Sequence, residues 1–176
     1  IKKKINKLSA NVVLFASEKF SINHLKKHIT NTEFNYINDL LKSSDLKKNI
    51  FVYELNSKKK IVLISAKNNL TTSDIENLGA EFYGRINYGK NSEYFINSDT
   101  VVAKYDNFLG HFLHGLKLKS YNFNKYKTKK ETRIISINLL GNKNMPSAKA
   151  KLKFKSIEEG TFYARDLVSE PGNILH

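Results

Sequence analysis

The chain has 176 residues, 40% of them hydrophobic, and a net charge of +14 from 30 Lys and Arg against 16 Asp and Glu. That length supports one domain with a real core, and that composition excludes a disordered tail. With no cysteine it has no disulfide framework and no thiolate chemistry, and no apolar run approaches the ~20 residues that span a bilayer.

Asn11-Val12-Val13-Leu14-Phe15-Ala16 is a β-branched, apolar run that predicts a buried strand. The basic start before it, Ile1-Lys2-Lys3-Lys4-Ile5-Asn6, lacks the clean apolar stretch of a signal peptide. From Glu33 to Lys42, Phe34, Ile37, Leu40 and Leu41 recur at three- and four-residue steps, which predicts an amphipathic helix. Ile50–Leu55 and Ile61–Ala66 read as strands of an antiparallel hairpin across the polar turn Asn56–Lys60.

Ser73-Asp74-Ile75-Glu76 has the form of a capping box and predicts a helix running to about Ile86. Glu93–Ile96 is a weaker strand. Val101–Leu118 reads as helical, with Phe108, Phe112, Leu113 and Leu116 on one side. Arg133–Leu139 is a strong strand, and Gly141–Pro146 a loop. A long helix from Ser147 carries Leu152, Ile157, Phe162 and Leu167 and stops before Pro171-Gly172. The order β-α-ββ-α-β-α-β-α predicts an α/β single domain, a mixed β-sheet flanked by helices.

Little in the chain resembles an active site. Gly84-Arg85-Ile86-Asn87-Tyr88-Gly89-Lys90-Asn91 approximates a P-loop, but Asn91 replaces the hydroxyl that holds Mg²⁺ and a helix precedes it. His24 and His28, and His111 and His114, are spaced to share helix faces, yet no acidic cluster completes either pair. Glu158 and Glu159 are adjacent on a helix and point different ways. The charge of +14 suits a polyanionic partner, or is a compositional trait of a Lys-, Asn- and Ile-rich sequence. Between Tyr121 and Lys130, aromatics interleave with cations: Tyr121, Phe123, Lys125, Tyr126, Lys127, Lys129 and Lys130. That pattern stacks bases and neutralises phosphates, or closes a core edge while the lysines face water.

Two segments carry a family resemblance. Tyr121-Asn122-Phe123-Asn124-Lys125-Tyr126-Lys127 resembles the Tyr-x-Phe-x-Lys-Tyr signature late in the N-terminal domain of leucyl (cytosol) aminopeptidases. Ala164-Arg165-Asp166-Leu167-Val168-Ser169-Glu170-Pro171-Gly172-Asn173 resembles that family's Ala-Arg-Asp-Leu-Val-Asn-Glu-Pro-x-Asn junction, with Ser169 in place of Asn. The resemblance implies a macro-domain-like α/β fold, with residues 1–170 as the non-catalytic N-terminal domain and 171–176 as the start of the junction. It implies a cytoplasmic exopeptidase that releases N-terminal residues from peptides. Two divalent metal ions, manganese or zinc, would act in a separate catalytic domain. Homo-hexamer assembly and access control would be this domain's part. The family's Asn-Thr-Asp-Ala-Glu-Gly-Arg motif is absent, so no catalytic or metal-binding residue is assigned here. DNA remains a possible partner; a nucleotide-binding macro-like module ranks third, because the chain lacks a glycine-rich phosphate loop.

Overall fold

A computed structural model describes residues 11–88, 92–128 and 134–172. They divide into two compact units, one from 11–69, 92–104 and 134–143, the other from 70–88, 105–128 and 144–172. Gly89, Lys90 and Asn91 of the P-loop-like segment, Arg133, and the basic start lie outside the described residues, as do Lys129 and Lys130.

The first unit is built on β1 (Asn11–Ala16), where Val13, Leu14, Phe15 and Ala16 are fully buried. A residue run with no polar side has no face to offer water, so the strand sits mid-sheet. The five strands run in the order β2-β3-β1-β4-β5, with β2 (Ile50–Asn56), β3 (Lys59–Ser65), β4 (Ser92–Asn97) and β5 (Ile135–Leu140). The β2–β3 hairpin is antiparallel, as its short turn requires, and the other pairings are parallel. The expected mixed α/β sheet is therefore present, with every expected strand in place.

Helix α1 (Asn31–Lys42) buries Phe34, Ile37 and Leu41 in a core with Val12, Leu14 and Leu63. Its start is a capping box: Thr30 Oγ1 accepts the Glu33 N–H, and Glu33 accepts the Thr30 N–H at 3.0 Å. Lys59 Nζ donates to the same carboxylate at 2.5 Å, tying α1 to the hairpin. Burial pushes the Glu33 carboxyl up, but the bonds from Lys59 and Thr30 outweigh it and hold it below its ordinary value.

The second unit contains α2 (Thr72–Ile86), α3 (Phe108–Lys119) and α4 (Ala148–Ser169). The cap of α2 is Thr71 with Asp74, two residues before the expected Ser73 and Glu76. Ser73 already lies within the helix, so only Thr71, in extended backbone, can offer its oxygen to the Asp74 N–H. The helix expected from Val101 begins instead at Phe108. Asn107 takes a left-handed conformation, φ +54°, which breaks any helix entering it.

Helices α2 and α3 meet through reciprocal glycines. A Cβ on Gly79 would lie 1.9 Å from the Phe112 carbonyl oxygen, and one on Gly115 would lie 1.9 Å from that of Glu76. Beside this crossing Phe82 and Phe112 pack at 5.6 Å between ring centroids, both fully buried. Such contact leaves no room for a methyl group. Gly115→Ala is expected to destabilise the protein by about 2–3 kcal/mol in urea unfolding, whereas Gly84→Ala, on α2 with nothing within 4 Å of its missing Cβ, is neutral or stabilising.

Candidate functional site

The chain leaves α3 at Ser120 and runs as a strap over the last turns of α4. Tyr121 donates its hydroxyl proton to Asp166 Oδ1 at 2.8 Å, and its ring packs on Phe162 at 5.3 Å. Arg165 reaches back to the Leu118 carbonyl at 2.8 Å and lays its guanidinium 5.4 Å from the Tyr121 ring centre. Lys125 donates to Glu170 Oε1 at 2.5 Å, and Tyr126 gives its hydroxyl proton to the other oxygen of the same carboxylate. The two segments that resemble family signatures are thus the two halves of one clamp.

The clamp sets its own protonation states. Hydrogen bonds from Lys125 and Tyr126 hold the Glu170 carboxyl below its ordinary value. Glu170 in turn pushes the Lys125 ammonium and the Tyr126 phenol up. A cleft of about 370 Å³ remains between strap and helix, lined by Phe123, Asn124, Lys125, Tyr163, Leu167 and Glu170.

Of the residues singled out for base stacking and phosphate contact, Tyr121, Lys125 and Tyr126 are engaged with α4, and Phe123 packs against Tyr126 at 5.8 Å. Lys127 bonds the Asn122 side chain at 3.3 Å. Sequence reasoning missed the partners Asp166 and Glu170. Their signal was there, since an acid in the last turn of α4 and another at its C-cap complement the Tyr and Lys of the strap.

The histidines serve separate contacts. His24 Nε2 donates to the Phe15 carbonyl, and His28 Nδ1 accepts from the Asn97 amide, with burial pushing the His28 pKa down. His111 Nδ1 lies 3.0 Å from Glu76 and His114 Nδ1 2.8 Å from Glu158, with the Phe154 ring held against both imidazoles. Glu159 turns instead toward Lys155. Among the described residues no three His, Asp or Glu side chains are grouped to hold a metal ion, so the two ions implied by the resemblance find no ligand set in them.

At the C-terminal ends of the parallel strands, Asp99 Oδ1 accepts the N–H groups of Asn142 and Lys143 at 2.8 and 2.7 Å. These bonds hold its carboxyl below the ordinary range. Gly141, at φ +106°, makes the approach, since a Cβ there would sit 2.6 Å from Ser98 Oγ. The N–H pair that a phosphate cradle would present is taken by Asp99.

The clamp predicts a pH window. Glu170 has a depressed folded-state pKa, so its contribution is complete above the ordinary value of 4.5 and fades as pH falls through the folded one. Lys125 is raised, so its contribution is complete below 10.5 and fades as pH climbs through its folded value. Glu170→Gln should speed proteolytic cleavage within residues 121–128 at pH 7 several-fold, and the difference from the parent protein should shrink below pH 4.5. An unchanged cleavage rate at pH 7 would mean the clamp does not hold the strap.

No protein-family model matches the sequence. Curated relatives do. The chain is 35% identical over 94 residues to a probable cytosol aminopeptidase of Clostridium perfringens, covering 49% of this chain and 19% of the relative. It is 35% identical over 65 residues to one from Xanthobacter autotrophicus, covering 35% of this chain and 13% of the relative. The chain therefore spans about a fifth or less of the length of these relatives. In fold, a variant of tomato leucine aminopeptidase matches 97% of this chain and 37% of its own at a TM-score of 0.67 and 14% identity. The cytosol aminopeptidase of Coxiella burnetii matches 96% of this chain and 33% of its own at 0.60 and 17% identity. The bottromycin maturation enzyme BotP matches 95% of this chain and 34% of its own at 0.63 and 11% identity. The resemblance read from the strap and the junction is thereby borne out: the chain is akin to the N-terminal region of the leucyl (cytosol) aminopeptidases.

Proposed function

We propose that residues 1–170 form the N-terminal, non-catalytic domain of a leucyl aminopeptidase, with 171–176 opening the junction to its catalytic domain. The observation that carries this reading is the clamp, in which both segments resembling the family meet residue against residue. The relatives' greater length supports it. In this reading the domain performs no chemical step. It serves hexamer assembly and restricts access to a cytoplasmic, two-metal active site of manganese or zinc built from sequence beyond it.

The test is the coding sequence past residue 176 and the product it specifies. The reading expects an Asn-Thr-Asp-Ala-Glu-Gly-Arg motif there. The full product should release p-nitroaniline from leucine p-nitroanilide, lose that activity in EDTA, and regain it with Mn²⁺ or Zn²⁺. Its native mass should correspond to six copies. A stop codon near residue 176, or activity indifferent to chelation, sinks the reading.

One observation favours a second reading, a basic nucleic-acid-binding module. Between Asn107 and Ile157 the sequence holds twelve Lys or Arg and a single acid, Glu131, which accounts for +11 of the net +14. Lys127, Lys129 and Lys130 of the original set belong to this stretch, as do Lys149, Lys151, Lys153 and Lys155 on α4. Duplex DNA binding by fluorescence anisotropy should then weaken about a hundredfold or more between 50 and 200 mM salt, as counterion release requires of about four or more phosphate contacts. Affinity absent at 50 mM salt removes this reading.

A further inference from the structure

Helix α4 has 22 residues and buries one side chain, Phe154. Leu152, Ile157, Tyr163, Leu167 and Val168 are all exposed. At 100° per residue these five fall, with Gly160 and Ala164, in an arc of about 160°. The arc lies opposite Phe154, Glu158 and Arg165, which meet α3 and the strap; Tyr163 and Leu167 on its near edge border the strap cleft, and Ser156 and Lys153 also fall within it. The helix therefore has two faces, one engaged and one largely exposed.

Gly160 marks the middle of the bare face. Glycine inside a helix weakens it relative to alanine. At the crossing of α2 and α3 the chain uses glycine where a carbonyl of the facing helix sits 1.9 Å from the missing Cβ. Gly160 lies on a helix too, with Ser156 and Ala164 one turn to either side, yet nothing lies within 4 Å of its missing Cβ. Gly84 of α2 is equally open, so it is the exposed apolar side chains around Gly160, and not the glycine alone, that mark this face.

We infer that the outward face of α4, centred on Gly160, is the seat of a helix from the polypeptide that follows residue 176. The inference rests on the aminopeptidase reading, in which the relatives leave about four fifths of their length unmatched by this chain. It adds which surface that remainder covers and by what kind of contact. The remainder is tethered directly after α4, so its effective concentration at this face exceeds that of any free partner. An exposed apolar stripe of this length is otherwise a liability in solution.

The experiment uses the full product and two cysteine variants. Val168 and the Lys155 side chain are 87% and 70% exposed here. If the face is covered, Val168→Cys reacts with a maleimide at least tenfold more slowly than Lys155→Cys, after subtraction of the unsubstituted protein's own labelling. Amide exchange across 160–168 in the unsubstituted protein guards against a variant that fails to fold, and slow exchange that survives dilution is the expected result. Equal labelling of the two cysteines, in a product that carries the downstream metal motif, overturns the docking surface and leaves the aminopeptidase reading intact. Protection lost on dilution assigns the face to a second copy and overturns it as well. A coding sequence without the motif removes the occupant, and both readings fall together.

Discussion

The close crossing of α2 and α3 fixes the helical unit. Gly79 and Gly115 bring the two backbones to within a methyl group's width of each other, which fixes the roll of α3 about its own axis. That roll turns His111 toward Glu76 and His114 toward Glu158, and it presents both imidazoles to the Phe154 ring. It also sets the direction in which the chain leaves Ser120, hence where the strap falls. Dispersion packing at this density leaves little freedom to readjust, so the contacts of α4 inherit their geometry from two residues without side chains.

The first unit works on a different principle. Its strands are ordered by burial, with β1 apolar from Val12 onward and flanked by parallel neighbours, and its buried polar residues Ser65, Asn97, Ser98 and Thr100 lie at the strand ends. There Thr100 Oγ1 accepts the Phe15 N–H and donates to the Asn97 carbonyl, so one hydroxyl satisfies two backbone groups of adjacent strands. Asp99 does the same for the chain after β5. These ends are consumed by internal bonding.

Much of this was legible in the sequence. The alternation of element types was readable because each strand is a short β-branched run and each helix a clear three-to-four repeat. Where the reading slipped, the cause was local. Val101, Val102 and Tyr105 extend the apolar pattern of α3 but precede Asn107, whose left-handed backbone no periodicity reports. Thr71 and Ser73 both head plausible capping boxes, and only the backbone shows which residue is outside the helix. The strap was visible as a pattern, and its partners were visible as a pattern, but 40 and more residues separate them. Pairing them needed the fold, because side-chain complementarity over that distance has no periodic signature.

The two anchor points of α4 have a further consequence. Phe154 lies in α4 and Glu170 caps its end sixteen residues on, a span of roughly 24 Å along one uninterrupted helix. Inserting or deleting a single residue between them would swing Asp166 and Glu170 by about 100° and carry the carboxylates off the strap. Substitutions on the outer surface of this rod leave the ruler intact, while any change in its length breaks it. The residue count between these two anchors is therefore locked, whatever else along α4 diverges.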